Sequence, residues 1–205
     1  MPTASAAPRA RPQQERSQQT YDLLLKATGE LLGEVGIDGI STNLICARAG
    51  LTPPALYRYF DDKYAVIEAL GERLMTRQNA ALEDWIARYA PGGIALLRGN
   101  IEELLRATAS VTASEPGAVW ILRALHASPR LVHIRVASHR RVTDRLTDTY
   151  LPFLPGMDRD QLWRRLRISV EVGFAIDKML QEEERVSADM AFRNAAQMLQ
   201  SDLAD

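Results

Sequence analysis

Apolar residues recur at three- and four-residue intervals along most of the chain, and no segment sustains the alternation of a half-buried strand. Tyr21, Leu24, Leu25, Thr28, Leu31, Leu32 and Val35 form one helical stripe that stops at Gly36. A longer helix is predicted over about 62–89, with Val66, Leu70, Leu74, Leu82, Trp85 and Ile86 on its apolar side, and Pro91-Gly92-Gly93 breaks it. Leu97, Ile101, Leu104, Leu105 and Thr108 mark the next helix, over about 94–111. Helices over about 120–125, 131–150, 159–181 and 187–202 follow, separated by Pro- and Gly-containing turns. The pattern predicts an all-α chain of about nine helices. Residues 1–14, rich in Ala, Pro and Arg, are predicted as a disordered arm.

Residues 41–63 carry the most specific local signals. Ser41 offers a hydroxyl cap, and Leu44, Ile45 and Ala49 recur at helical spacing. Gly50 permits the positive φ that stops the helix and turns the chain. Thr52 supplies a second cap, and Pro53 takes the first helical position, where its missing N–H costs nothing. Leu56 and Phe60, four apart, face inward and leave Pro54, Ala55, Tyr57 and Arg58 to the outside. That is a helix-turn-helix, whose second helix enters the DNA major groove.

Ser41-Thr42, Ala49-Gly50-Leu51-Thr52, Leu56-Tyr57-Arg58-Tyr59-Phe60 and Lys63 resemble the N-terminal signature of the TetR family of bacterial repressors. The resemblance reaches back through residues 17–40. Pro53-Pro54 at the head of the recognition helix, and Asn43 and Cys46 before it, depart from the usual pattern. The resemblance implies a DNA-binding head over 15–63 and a helical effector-binding and dimerisation domain over 64–205. It further implies a homodimer on a palindromic operator in double-stranded DNA, released by a small, largely apolar effector. The alternative is a helical ligand-binding or interaction protein that has lost DNA binding.

Within the head, Thr42 can give a hydroxyl and a backbone N–H to a phosphate, as helix N-termini do. Thr52, Tyr57, Tyr59 and Lys63 are further phosphate candidates, although Tyr59 also reads as core. Pro53, Pro54 and Ala55 belong to the exposed start of the recognition helix, and Arg58 can reach a guanine edge or a phosphate. For the second domain the resemblance implies a pocket, with Trp85, Tyr89, Leu105, Thr108, Trp120, His126, Trp163, Phe174 and Asp177 as its candidate lining. Most aromatics at helical spacing are core, and a buried Asp177 on an apolar face needs a partner or a polar ligand. The resemblance also implies that the last two helices pair across a dimer through Leu166, Val170, Gly173, Ala188, Ala191, Phe192, Ala195 and Leu199. The alternative is that both helices are simply core.

Charge tempers the DNA reading. The net charge is −1, and over residues 1–63 seven basic side chains are cancelled by seven acidic ones, where a groove-binding domain ordinarily has a positive excess. The basic groups must then cluster on one face. One cysteine, Cys46, excludes an internal disulfide and fits a cytoplasmic protein. No apolar run reaches the ~18 residues of a membrane span. No phosphate loop, dinucleotide fingerprint or nucleophile constellation occurs, so neither enzyme nor cofactor is expected. His133 and His139, six apart, fall on different faces of one helix, so no metal site is expected from them.

Overall fold

The computed structural model describes residues 11–202, which form ten α-helices and two short 3-10 turns without strands. Ten of the fourteen residues assigned to the arm lie outside that range. Helix α1 (Arg11–Gly39) is interrupted at Gly36, whose φ of 67° is left-handed, close to the stop the pattern predicts. Helices α2 (Thr42–Ala49) and α3 (Pro53–Tyr57) pack on it as the head. Ser41 accepts the Leu44 N–H at 3.2 Å and caps α2, while Gly50 closes it with φ 66°. Ile45, Cys46, Leu56 and Phe60 are buried. Leu44 and Val35 are exposed, so neither belongs to the stripe on which its spacing places it.

Helix α4 (Lys63–Tyr89), capped by the Asp62 carboxylate on the Ala65 N–H, is roughly 40 Å long at 1.5 Å per residue. The single helix predicted over 94–111 is two, α5 (Ile94–Gly99) and α6 (Ile101–Ser114). The break has a physical cause. Asn100 leaves the helical region, its side chain donates to the Leu96 carbonyl, and its own carbonyl accepts the Trp85 indole N–H at 2.8 Å. Helices α7 (Ala118–Ala127), α8 (Val132–Tyr150), α9 (Arg159–Leu180) and α10 (Ala188–Asp202) complete the chain.

Two apolar clusters divide the interior. The first joins the head to the beginning of α4, to α7 and to Leu131 and Ile134. The second joins the end of α4 to α5, α6, the end of α8, α9 and α10. The residue 63/64 boundary falls inside the first cluster, because Val66, Ile67, Leu70 and Leu74 are packed with the head. Helix α7 lies against α1 at close quarters: a Cβ on Gly29 would come within 2.8 Å of the Pro116 carbonyl oxygen. The buried Glu115, at the same corner, is paired with both Arg73 and Arg77 of α4.

Candidate nucleic-acid interface and ligand cavity

The turn between α2 and α3 presents Thr52, Pro53, Pro54, Tyr57 and Arg58 to the outside, with Ala55 half-buried behind them. Thr52 caps through its backbone, leaving its hydroxyl uncommitted to the helix. The Thr42 and Tyr57 hydroxyls lie 3.2 Å apart, so the start of α2 and the end of α3 share one polar edge. Tyr57 is 54% exposed. Tyr59 is turned the other way: its hydroxyl meets Ser17 Oγ at 2.9 Å, and its ring packs among Tyr21 and Phe60. It ties α1 to the segment that follows α3.

Lys63 is half-buried, and its ammonium donates to the Ile37 carbonyl at 2.9 Å and the Ile40 carbonyl at 3.1 Å. Two of its three N–H groups thus satisfy backbone acceptors after the Gly36 break. Arg48 is drawn away from the polar edge by Glu34, with Oε2 at 2.6 Å, and by Glu30. The Arg48 pair holds the Glu34 carboxyl below its usual range. Exposed basic charge at the edge therefore rests on Arg58, whose guanidinium lies 5.9 Å from the centre of the Tyr59 ring.

The second cluster borders a partly open cavity of about 100 Å³ between α4, α6, α8, α9 and α10. Of the nine candidate residues, Trp85, Leu105, Thr108, Phe174 and Asp177 line it. Four other candidates lie elsewhere. The Tyr89 hydroxyl donates to Glu103 at the surface. Trp120 packs over Gly36 at the joint between α7 and the head. The exposed His126 contacts its own helix through the Leu122 carbonyl at 2.8 Å, and the Trp163 indole donates to Asp144 at 2.7 Å. The cavity wall instead includes Gln78, Asn79, Leu82, Leu146, Tyr150 and Ser169. Gln78 was open to detection, since it lies four residues from both Leu74 and Leu82 on the apolar stripe of α4.

Polarity is concentrated at one end. Gln78 Nε2 donates to Thr112 Oγ1 at 3.0 Å, and Thr112 Oγ1 donates to Asp177 Oδ2, also at 3.0 Å. Gln78 Oε1 and Asn79 Nδ2 are buried without partners. Burial pushes the Asp177 carboxyl above its ordinary pKa, against hydrogen bonds from Thr112 and Gln181. Behind Phe174, His139 stacks on its ring at 4.1 Å between centroids and meets Glu171 Oε1 at 2.9 Å. Among the described residues no three His, Cys, Asp or Glu side chains converge to hold a metal, and no helix is long and apolar enough to cross a membrane.

The residues assigned to a dimer interface require correction. Leu166, Val170, Ala191, Phe192, Ala195 and Leu199 are buried within the protomer, and Gly173 lines the cavity against Leu105. The alanines of α10 permit close packing on the chain's own α6 and α9, and among the eight candidates Ala188 is exposed. Apolar side chains do project outward from the same two helices: Ile168 is 67% exposed and Met198 65%.

Residues 24–70, which contain the whole helix-turn-helix, match the model of the bacterial regulatory proteins of the tetR family. The head belongs to the TetR family. The class A tetracycline repressor of Escherichia coli transposon 1721 is 36% identical over 67 residues, 30% of this chain and 31% of that protein. The chain therefore spans about a third of that relative's length. The fold likeness extends beyond the TetR-family head. A TetR-family regulator of Streptomyces coelicolor superposes with TM-score 0.64 at 24% identity, covering 90% of this chain and 98% of that one. SmeT in complex with triclosan superposes with TM-score 0.63 at 20% identity, covering 90% and 91%.

Proposed function

We propose that this protein is a homodimeric transcriptional regulator, a repressor whose hold on operator DNA is released by a small molecule bound in the cavity. The observation that carries the reading is the placement of α4. It starts beside the TetR-family recognition helix and ends as a wall of the cavity, with Gln78, Leu82 and Trp85 facing that space. A ligand that spreads α4 and α6 would press on the corner where Glu115 holds Arg73 and Arg77 and where Pro116 meets Gly29. The head would then tilt with α1. In a two-fold dimer such a tilt alters the spacing of the two recognition helices, which must match successive major grooves ~34 Å apart. SmeT, a structural neighbour, holds triclosan, and that supports a ligand-responsive reading here.

Thr42, Thr52 and Tyr57 supply neutral phosphate donors in this reading, Arg58 a base or phosphate contact, and Pro53, Pro54 and Ala55 the apolar approach to the groove. Dimerisation uses the outer sides of α9 and α10 around Ile168 and Met198, which gives the operator its inverted symmetry. The test is a gel shift on the chain's own upstream region. Wild-type protein should retard the fragment, and Tyr57→Ala should weaken binding at least about tenfold, the loss of one good charged hydrogen bond. Failure of the wild type to bind at low salt would favour the second reading, a ligand-binding protein without DNA affinity. The engagement of Arg48 by Glu30 and Glu34 is the specific observation in its favour.

A further inference from the structure

The cavity wall carries a buried carboxyl beside a buried amide. Asp177 is 4% exposed and Gln78 3% exposed, and both reach the cavity. Among the described residues no cation pairs with Asp177: its partners are the Thr112 hydroxyl and Gln181. The guanidiniums of Arg135 and Arg167, by the His139 side of Phe174, are engaged by Glu171 at 3.5 Å and 2.6 Å. Charge on a carboxyl buried without a counter-ion is disfavoured, and a bound cation relieves that.

The hydrogen-bond chain fixes the direction of the neighbouring amide. A carboxylate can only accept, so the Thr112 hydroxyl gives its proton to Asp177 and must itself accept from Gln78. That leaves Gln78 Oε1, the amide's acceptor, facing away from Thr112 with no partner. The largely apolar wall therefore carries two acceptor groups linked through Thr112, the Asp177 carboxyl and the Gln78 amide oxygen. Trp85 and Phe174 add aromatic surface to which a cation is attracted.

We propose that the cavity takes an amphiphilic organic cation, its protonated nitrogen held by Asp177 and Gln78 Oε1 and its hydrocarbon laid against Leu82, Trp85, Leu105 and Leu146. Asn79 Nδ2, an unpartnered donor on a residue of the cavity wall, accommodates an oxygen near the nitrogen. This inference rests on the reading of the cavity as the effector site.

The experiment compares n-hexylamine, 1-hexanol and hexanoate, equal in length and different at the polar end, by calorimetry and tryptophan fluorescence at neutral pH. Hexylamine should bind the full-length protein at least about tenfold more tightly than hexanol, with hexanoate weakest. Asp177→Asn should remove that preference, bringing hexylamine to within about twofold of hexanol. Hexanol or hexanoate binding as well as hexylamine overturns the cation assignment and leaves the cavity as an effector site. Binding by none of the three overturns the effector reading and the cation assignment together. The wild-type series stands without the variant, should the variant fold poorly.

Discussion

Gly117 faces the carbonyl of Gly29 so closely that a Cβ on Gly117 would overlap the oxygen, which brings the backbones of α1 and α7 together without a side chain between them. The contact depends on Gly117 twice, since its φ of 72° is left-handed as well. Gly117→Ala should cost about 2 kcal/mol or more, from backbone strain and from forcing the helices apart. Urea unfolding checks this, with a lowered midpoint and an unchanged slope expected. A variant as stable as wild type would show that α7 is not fixed to the head.

Lys63 joins a structural task to a candidate DNA contact. Its ammonium holds the Ile37 and Ile40 carbonyls and keeps one N–H free for a phosphate. Lys63→Ala should lower stability by about 1–2 kcal/mol and reduce the salt slope of operator binding by about one. Thermal unfolding and gel shifts at several salt concentrations separate the two effects. Lost stability with an unchanged slope would leave the lysine as a cap alone.

The outward and inward sides of the last two helices should respond oppositely to charge. Ile168→Glu or Met198→Glu places an ion on the proposed dimer face and should give a folded monomer by sedimentation. Ala195→Asp, at a position 1% exposed, should unfold the protomer itself. A persistent dimer in both surface variants would move the interface elsewhere.

Stability should also depend on His139. Burial lowers its pKa from 6.5, against the raising influence of Glu171, with Arg135 and Arg167 acting in the same direction as burial. A histidine with a depressed folded-state pKa contributes stability that is complete above its unfolded value and is lost as pH falls below it. The thermal midpoint should therefore drop between about pH 7 and pH 5.5. Asp177, with its raised pKa, acts in the opposite sense: its favourable contribution is lost as pH rises through its folded value. The depressed Glu171 adds a further loss at more acidic pH. His139→Phe, which retains a ring beside Phe174, should flatten the slope near pH 6, and an unaltered slope would assign the acid sensitivity to other groups.

The head was legible because its signals are local. Ser41, Gly50 and Pro53 act on backbone within a few residues, and each occupies the position its chemistry predicts. The cavity was legible in part. Helical spacing shows that Trp120, Trp163 and Tyr89 have an apolar side, but not which neighbouring helix meets it. Gln78 and Thr112 continue apolar stripes, four residues from Leu74 and Leu82 and from Thr108, but spacing alone does not show that a polar side chain on such a stripe faces a cavity. The small side of α10 signals close packing correctly. Whether that packing is within one protomer or between two depends on long-range contacts with α6 and α9, which periodicity does not encode.

Helix α4 makes the head difficult to transplant. Its first half lies in one core and its second half in the other, and Gly71 admits the Leu125 side chain of α7 against its backbone. A graft joined at residue 63 would strip Ala118, Ile121 and Leu125 of the surface they cover. Exchange of DNA specificity between related chains should therefore succeed by replacing the exposed residues of α3. A transferable cassette would have to include α7, a segment separated from the head by two cavity-lining helices. Modularity in this protein resides at the level of surface residues.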